Sequence, residues 1–118
     1  NQLKDFKQVF INPTIVNEEG DEWAFAEGCL SIPNITEDVL RKETVSFEYV
    51  DEKFEKHSKT LNGILARIFQ HEYDHLEGVL FTDKLSSLKK RILKKKLEKI
   101  SLGKINSSYR MRFPNIKI

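Results

Sequence analysis

Leu61-Asn62-Gly63-Ile64-Leu65-Ala66-Arg67-Ile68-Phe69-Gln70-His71-Glu72-Tyr73-Asp74-His75-Leu76-Glu77 is the most regular stretch of this 118-residue chain. Ile64, Ile68, His71 and His75 recur at spacings of four, three and four, which predicts a helix carrying all four side chains on one face. The histidines thereby extend an apolar stripe that is expected to be buried. Gly78 is placed to end the helix, and Val79-Leu80-Phe81 reads as a short buried strand.

Upstream of this helix the chain is β-rich. Val9 to Val16 is interrupted by Asn12-Pro13, which predicts two strand pieces meeting at a bend, and Glu18-Glu19-Gly20-Asp21 reads as a turn. From Thr44 to Val50, apolar Val45, Phe47 and Tyr49 alternate with Ser46 and Glu48. A second strand is expected to return through Phe54 to Lys59 after Asp51-Glu52-Lys53, giving a hairpin with one buried face. Downstream, Ser86 or Ser87 is a good N-cap for a second helix running to Gly103, with Leu88, Ile92, Leu93, Leu97 and Ile100 expected to face inward. Ser107 to Phe113 reads as an extra edge strand. The fold class is therefore α+β: antiparallel strands around a central helix, followed by a C-terminal amphipathic helix. With no repeat, low-complexity linker or internal boundary, residues 1–118 are expected to form a single domain.

The chemistry concentrates at His71-Glu72-Tyr73-Asp74-His75. Histidines four apart on a helix project to one side and can share one tetrahedral ion, while Glu72 lies about 60° round from His75, within reach of a water on that ion. The plainer alternative is two core histidines beside an ordinary acid, but the pair continues the apolar stripe, which favours a metal pair. A catalytic ion also needs a third protein ligand and an open position. The metzincin pattern would place a histidine where Phe81 stands, and the acid available to a gluzincin pattern, Glu98, is set among lysines. His57, in a polar part of the hairpin, reads as an exposed strand residue. Cys29, the single cysteine, sits in Ala26-Glu27-Gly28-Cys29-Leu30-Ser31, where a glycine permits close backbone approach. One cysteine excludes an internal disulfide, and a Cys-His-His site accounts for it better than burial as a small hydrophobe.

Charge is divided unevenly. Residues 1–83 carry 8 basic and 17 acidic side chains, and residues 84–118 carry 12 basic and 1 acidic. A basic tail can lie on nucleic acid, although a lysine run is more often a solvated helix face. The sequence has no run of about 20 apolar residues and no basic-then-apolar leader pattern, so no membrane partner is expected and the reading is cytoplasmic.

Glu27-Gly28-Cys29-Leu30-Ser31 and Gln70-His71-Glu72-Tyr73-Asp74-His75, with 42 positions from Cys29 to His71, resemble the second and third signature motifs of peptide deformylases. Gly63-Ile64-Leu65-Ala66 and Leu76-Glu77-Gly78-Val79-Leu80-Phe81 extend the resemblance over most of residues 9–100. It implies removal of the formyl group from formyl-methionyl N-termini of new polypeptides, with release of formate. It also implies one divalent ion, Fe²⁺ natively, with Zn²⁺, Ni²⁺ or Co²⁺ able to replace it, bound through Cys29, His71 and His75. Glu72 would be both base and acid, and the backbone N–H of Leu30 would stabilise charge on the formyl oxygen. Ile64 and Ile68, with Phe25, Glu27 and Gly28 near them, would line the methionine pocket.

The family's first motif, G-x-G-x-A-A-x-Q, does not occur, and its glutamine normally shares the oxyanion site; the chain thus reads as the C-terminal portion of a deformylase. Loss of one oxyanion donor costs about 10²–10³ in rate, so a metal-binding module of impaired activity is the first alternative. A module contacting the ribosome or other RNA through the basic helix is the second. No DNA partner is expected.

Overall fold

The computed structural model describes residues 5–113. Three strands, β1 (Ile11–Cys29), β2 (Ile32–Val50) and β3 (Lys56–Asn62), form one sheet in the order β1-β2-β3. Two helices follow, α1 (Gly63–Leu76) and α2 (Ser87–Ser101), with a short 3₁₀ turn at Phe81–Lys84 between them. The α+β class expected from the periodicities is the one observed.

The hairpin is present. β2 and β3 pair antiparallel from Thr44 opposite Asn62 to Val50 opposite Lys56. The alternation of Val45, Phe47 and Tyr49 with polar neighbours puts those three side chains on the buried face, as a period of two requires. The turn is tied by Asp51, whose Oδ1 accepts the backbone N–H groups of Lys53 and Glu55. Phe54 adopts φ 63° at its tip.

Three local expectations fail upstream and between the helices. The bend at Asn12 and the turn at Glu18–Asp21 do not divide the chain into separate strands: both lie within the single 19-residue β1. Asn12 at φ 49° and Gly20 at φ 85° absorb the local twist instead. Glycine is favoured at position 20 by that left-handed φ, while the Glu43 side chain, whose Cγ would lie 2.4 Å from an added Cβ, is flexible enough to move aside. Val79-Leu80-Phe81 is no strand. The chain leaves α1 through Gly78 at φ 74° and enters the 3₁₀ turn, where Phe81 is almost fully buried.

The chain divides into two compact units. Among the described residues, the first comprises 5–24 with Leu40–Leu80, and the second Phe25–Val39 with 81–113. In the first, Val45, Phe47, Tyr49, Leu61, Ala66 and Phe69 form a core, with Phe10, Ile15, Leu65 and Tyr73 against it. Phe47 stacks on Phe69 at 3.8 Å between centroids, and Phe10 meets both edge-on at 5.0 and 5.7 Å. The two edge-on contacts are the arrangement aromatic quadrupoles favour. This packing fixes the face that α1 turns to the sheet.

In the second unit Ile32, Ile35, Val39, Phe81, Leu85, Leu93 and Ile100 are buried. Ser86 caps α2 by accepting the Lys89 N–H at 3.2 Å, as its position in the sequence suggested. Only Leu93 and Ile100 of the five expected inward residues are buried; Leu97 is half-buried, while Leu88 and Ile92 are exposed. The stripe is therefore narrower than the sequence implied. Residues 107–113 form no strand: the Tyr109 hydroxyl instead donates to the Leu30 carbonyl at 2.7 Å.

Candidate metal centre

At about 100° per residue, α1 has three working faces. Ala66, Phe69 and Tyr73 point to the core. His71 and His75 share a second direction, with Arg67 and Ile64 one turn and two turns before His71. Ile68 and Glu72 form a third. Of the last two sets, Arg67 is buried, Ile64, His71 and His75 are half-buried, and Ile68 and Glu72 are exposed; Gln70, between the core face and Arg67, is buried. The stripe read as buried from Ile64, Ile68, His71 and His75 is thus the wetter side of the helix, because the neighbouring aromatic face took the core.

The His71 and His75 rings lie 5.1 Å apart between centroids, so the pair converges as histidines four apart on a helix should. The helix is closed one residue beyond. Glu77 N–H bonds to the Asp74 carbonyl, Gly78 N–H to that of His75 at 3.2 Å, and Val79 N–H to that of Asp74 at 2.8 Å. Those bonds satisfy terminal carbonyls that would otherwise be unpaired.

Glu72 and Ile68 open onto a cavity of about 470 Å³, lined also by Phe6, Phe10, Leu61 and Leu65. Ile68 is the pocket residue expected from the sequence, whereas Phe6, Phe10 and Leu65 are not. Their apolarity looks like ordinary core in a sequence, and nothing in the helical period distinguishes a cavity wall from a packed face. Ile64, expected beside Ile68, does not line this cavity.

A guanidinium that the sequence reading passed over is also central to α1. Arg67 is buried, lies 4.5 Å over the Trp23 ring, and donates through Nη2 to the Trp23 carbonyl at 2.6 Å.

In the second unit, Phe25 is exposed, Glu27 is buried and Cys29 is half-buried at the end of β1. Leu30 sits in the turn between β1 and β2 with its side chain exposed. Gly28 is not demanded by local packing, since a Cβ there would meet only Ile35 O and Thr36 Oγ1 at 3.6 Å.

Cys29, His71 and His75 each offer one ligand atom and are each half-buried. A thiolate and two imidazoles are by type a donor set suited to a borderline-soft divalent ion, and a set of three such ligands would leave open the position a catalytic ion needs. By donor chemistry the residues present fit such an ion. His57, by contrast, is an exposed residue of β3 that stacks on Tyr49 at 5.4 Å and contacts Asp51 Oδ2 at 2.6 Å. The Glu55 N–H, and then the His57 contact, hold the Asp51 carboxyl below its ordinary pKa. That pair belongs to the hairpin turn.

The chain is thus an α+β protein with an H-E-x-x-H helix packed against its sheet. The family profile for polypeptide deformylase matches residues 1–91, and the chain belongs to that family. It is 63% identical to a peptide deformylase of Christiangramia forsetii and 58% identical to one of Flavobacterium johnsoniae, in each case over 98% of this chain and 59% of the relative. The chain thus spans about 59% of the length of these curated relatives. Among solved structures it resembles Plasmodium falciparum peptide deformylase in complex with an inhibitor, at TM-score 0.74 and 45% identity, covering 79% of this chain and 60% of that one. It also resembles Arabidopsis thaliana peptide deformylase 1B with an inhibitor, at TM-score 0.79 and 39% identity, covering 84% and 55%.

Proposed function

We propose that the chain carries the metal-binding and proton-transfer machinery of a peptide deformylase, hydrolysing the formyl group from formyl-methionyl N-termini of new polypeptides and releasing formate. The observation that carries this reading is the arrangement on α1: two converging imidazoles, with the carboxylate of Glu72 displaced to the flank that faces an apolar cavity. Family membership supports it independently.

Cys29, His71 and His75 would hold one divalent ion, with Fe²⁺ as the native metal and Zn²⁺, Ni²⁺ or Co²⁺ as substitutes that the same donors accept. When bound, the ion supplies positive charge that acidifies water and polarises the formyl oxygen. Glu72, offset from the ligand direction, takes the proton of the attacking water and returns one to the leaving amine. Its exposure suits that task, since a carboxylate that must exchange protons needs access to water. The Leu30 N–H is the oxyanion donor in this reading. Ile64 and Ile68, with Phe25, Glu27 and Gly28, would form the methionine pocket in this reading; of these, Ile68 lines the cavity described above, beside Phe10 and Leu65.

The same reading takes the chain as the C-terminal part of one deformylase domain working in the cytoplasm. None of the helices described is long and apolar enough to cross a membrane. Exposed lysines along α2 offer a surface for ribosomal RNA, a contact that would bring the protein to its substrate as it emerges.

Elemental analysis tests the ligand set. One divalent ion per chain is expected in the unsubstituted protein and strong loss of it in Cys29→Ser. Full stoichiometry in Cys29→Ser, with loss in His57→Ala instead, would sink the assignment.

A further inference from the structure

Two imidazoles four residues apart can share an ion only if the helix is held at the right rotation, so the means by which α1 is oriented bears on the centre proposed above, and the inference here rests on that reading. Gln70 and Asp74 immediately precede His71 and His75 and lie one above the other on the helix, about 60–100° round from His71 and opposite to Glu72. Both are tied to consecutive residues of β2. Arg41 Nη1 donates to Asp74 Oδ2 at 2.8 Å, and Gln70 Nε2 donates to the Lys42 carbonyl at 3.0 Å while also reaching the Ala66 carbonyl at 3.1 Å.

The ion pair is sheltered, with the Arg41 side chain 3% and the Asp74 side chain 17% exposed. Burial of a charge pair is poor evidence for a stabilising role, because apolar residues of similar volume usually do as well or better. What the pair adds is direction: a planar guanidinium fixes the carboxylate it meets far more narrowly than packing does. The aromatic packing sets which face α1 turns to the sheet. Two directional contacts one helical turn apart narrow its rotation further than one could.

We propose that Arg41, acting through Asp74 and seconded by the Gln70 bond to the Lys42 carbonyl, is a positioning residue that sets the rotation of α1 and thereby the convergence of His71 and His75 on the metal. Neither residue is assigned a contact with substrate or metal. Nothing in the sequence reading pointed to Arg41, and the aspartate appeared there only as a spacer between histidines.

Cobalt provides a test, because its visible d–d absorption reports ligand geometry in the loaded protein. The unsubstituted chain, Arg41→Met and Arg41→Lys would each be loaded with Co²⁺, their spectra recorded, and release of the ion into excess chelator timed. Arg41→Met should show an altered d–d envelope and release the ion about 10–100-fold faster, the range usual for loss of an outer-shell partner. Arg41→Lys, which keeps the charge and loses the planar fork, should fall between. Should Arg41→Met fail to fold, Gln70→Leu breaks the second contact without stranding a charge, and the same changes at smaller size are expected. Spectra and release rates identical to those of the unsubstituted protein in a folded variant would overturn the clamp alone. An unsubstituted chain that takes up no Co²⁺, or takes it up without a thiolate charge-transfer band, would overturn the Cys-His-His reading and the clamp with it.

Discussion

Helices α1 and α2 are nearly equal in length, 14 and 15 residues, yet they distribute their side chains in opposite ways. α1 buries Arg67 and Gln70 and leaves Ile68 exposed. Both buried polar side chains make a directional bond: Arg67 Nη2 to the Trp23 carbonyl and Gln70 Nε2 to the Lys42 carbonyl. α2 buries only Leu93 and Ile100, leaves Leu88 and Ile92 in solvent, and covers its outer face with lysine. The ion pair of Lys89 with Glu37 at 3.3 Å is exposed enough to contribute little. The difference teaches where to look for function. A helix that only packs can be held by a few apolar anchors, whereas one that must aim side chains is held by directional bonds, at the expense of a simple hydrophobic pattern.

The severest way to break that contrast is to alter the exposed flank of α1. Glu72→Gln keeps the shape of the side chain but cannot accept and return a proton. It should retain the metal while hydrolysis of a formyl-methionyl peptide falls by about 10²–10⁴-fold relative to the unsubstituted protein, mainly in kcat. Metal analysis and steady-state kinetics on the same preparation separate the outcomes. Loss of the ion would make Glu72 a ligand; near-normal turnover would remove it from the mechanism.

The core face of the same helix should respond in stability instead. Phe69 stacks on Phe47 and meets Phe10 and Tyr73, so Phe69→Ala removes the centre of an aromatic cluster. A loss of about 3–5 kcal/mol in urea unfolding is expected. A loss below about 1 kcal/mol would mean that the cluster repacks and does not fix the face α1 presents.

How much of this was legible beforehand follows from which rule each residue obeyed. The hairpin was readable because Val45, Phe47 and Tyr49 have one face in the core and one outside, so a period of two survives in the sequence. The helix ends were readable because Ser86 and Gly78 are dictated by local backbone chemistry. His71, Glu72 and His75 announced themselves by type and spacing. Cys29 was singled out by its residue type and by the resemblance, through sequence separation that no periodicity spans. The length of β1 was not readable, since Asn12 and Gly20 in left-handed conformations look like turns when their strand partners are unknown. Neither were the burial of Arg67 and the Arg41–Asp74 pair, because a charged residue in a sequence gives no sign that a partner 33 positions away will shelter it.

Within α2 the contrast can be sharpened by neighbours in sequence. Leu93→Ala should cost about 2–5 kcal/mol, while Ile92→Ala, exposed at the adjacent position, should stay within about 0.5 kcal/mol of the unsubstituted protein. Denaturant midpoints of the two variants decide it. Equal costs would show that Ile92 is covered by something in solution, and that the narrow apolar stripe of α2 is a surface in use.

The smallest effect on chemistry is expected where charge is greatest. Lys94, Lys95 and Lys96 are all exposed on α2, and their replacement by glutamine should leave turnover of a small formyl-peptide within about twofold, because charge on a solvated helix governs encounter and not a distant bond-breaking step. Binding to ribosomes or to a defined RNA should change differently. Each lysine that neutralises a phosphate releases a counterion, so the triple variant should bind more weakly at low salt, with a log–log salt slope shallower by about two to three. Binding curves over a salt series and peptide kinetics on the same variant separate the two roles. An unchanged salt slope would mean that these lysines meet no phosphate and are only a solvated face. A matching loss of peptide turnover would mean instead that α2, for all its plain packing, belongs to the catalytic body, and the division between an aimed helix and a merely packed one would have to be redrawn.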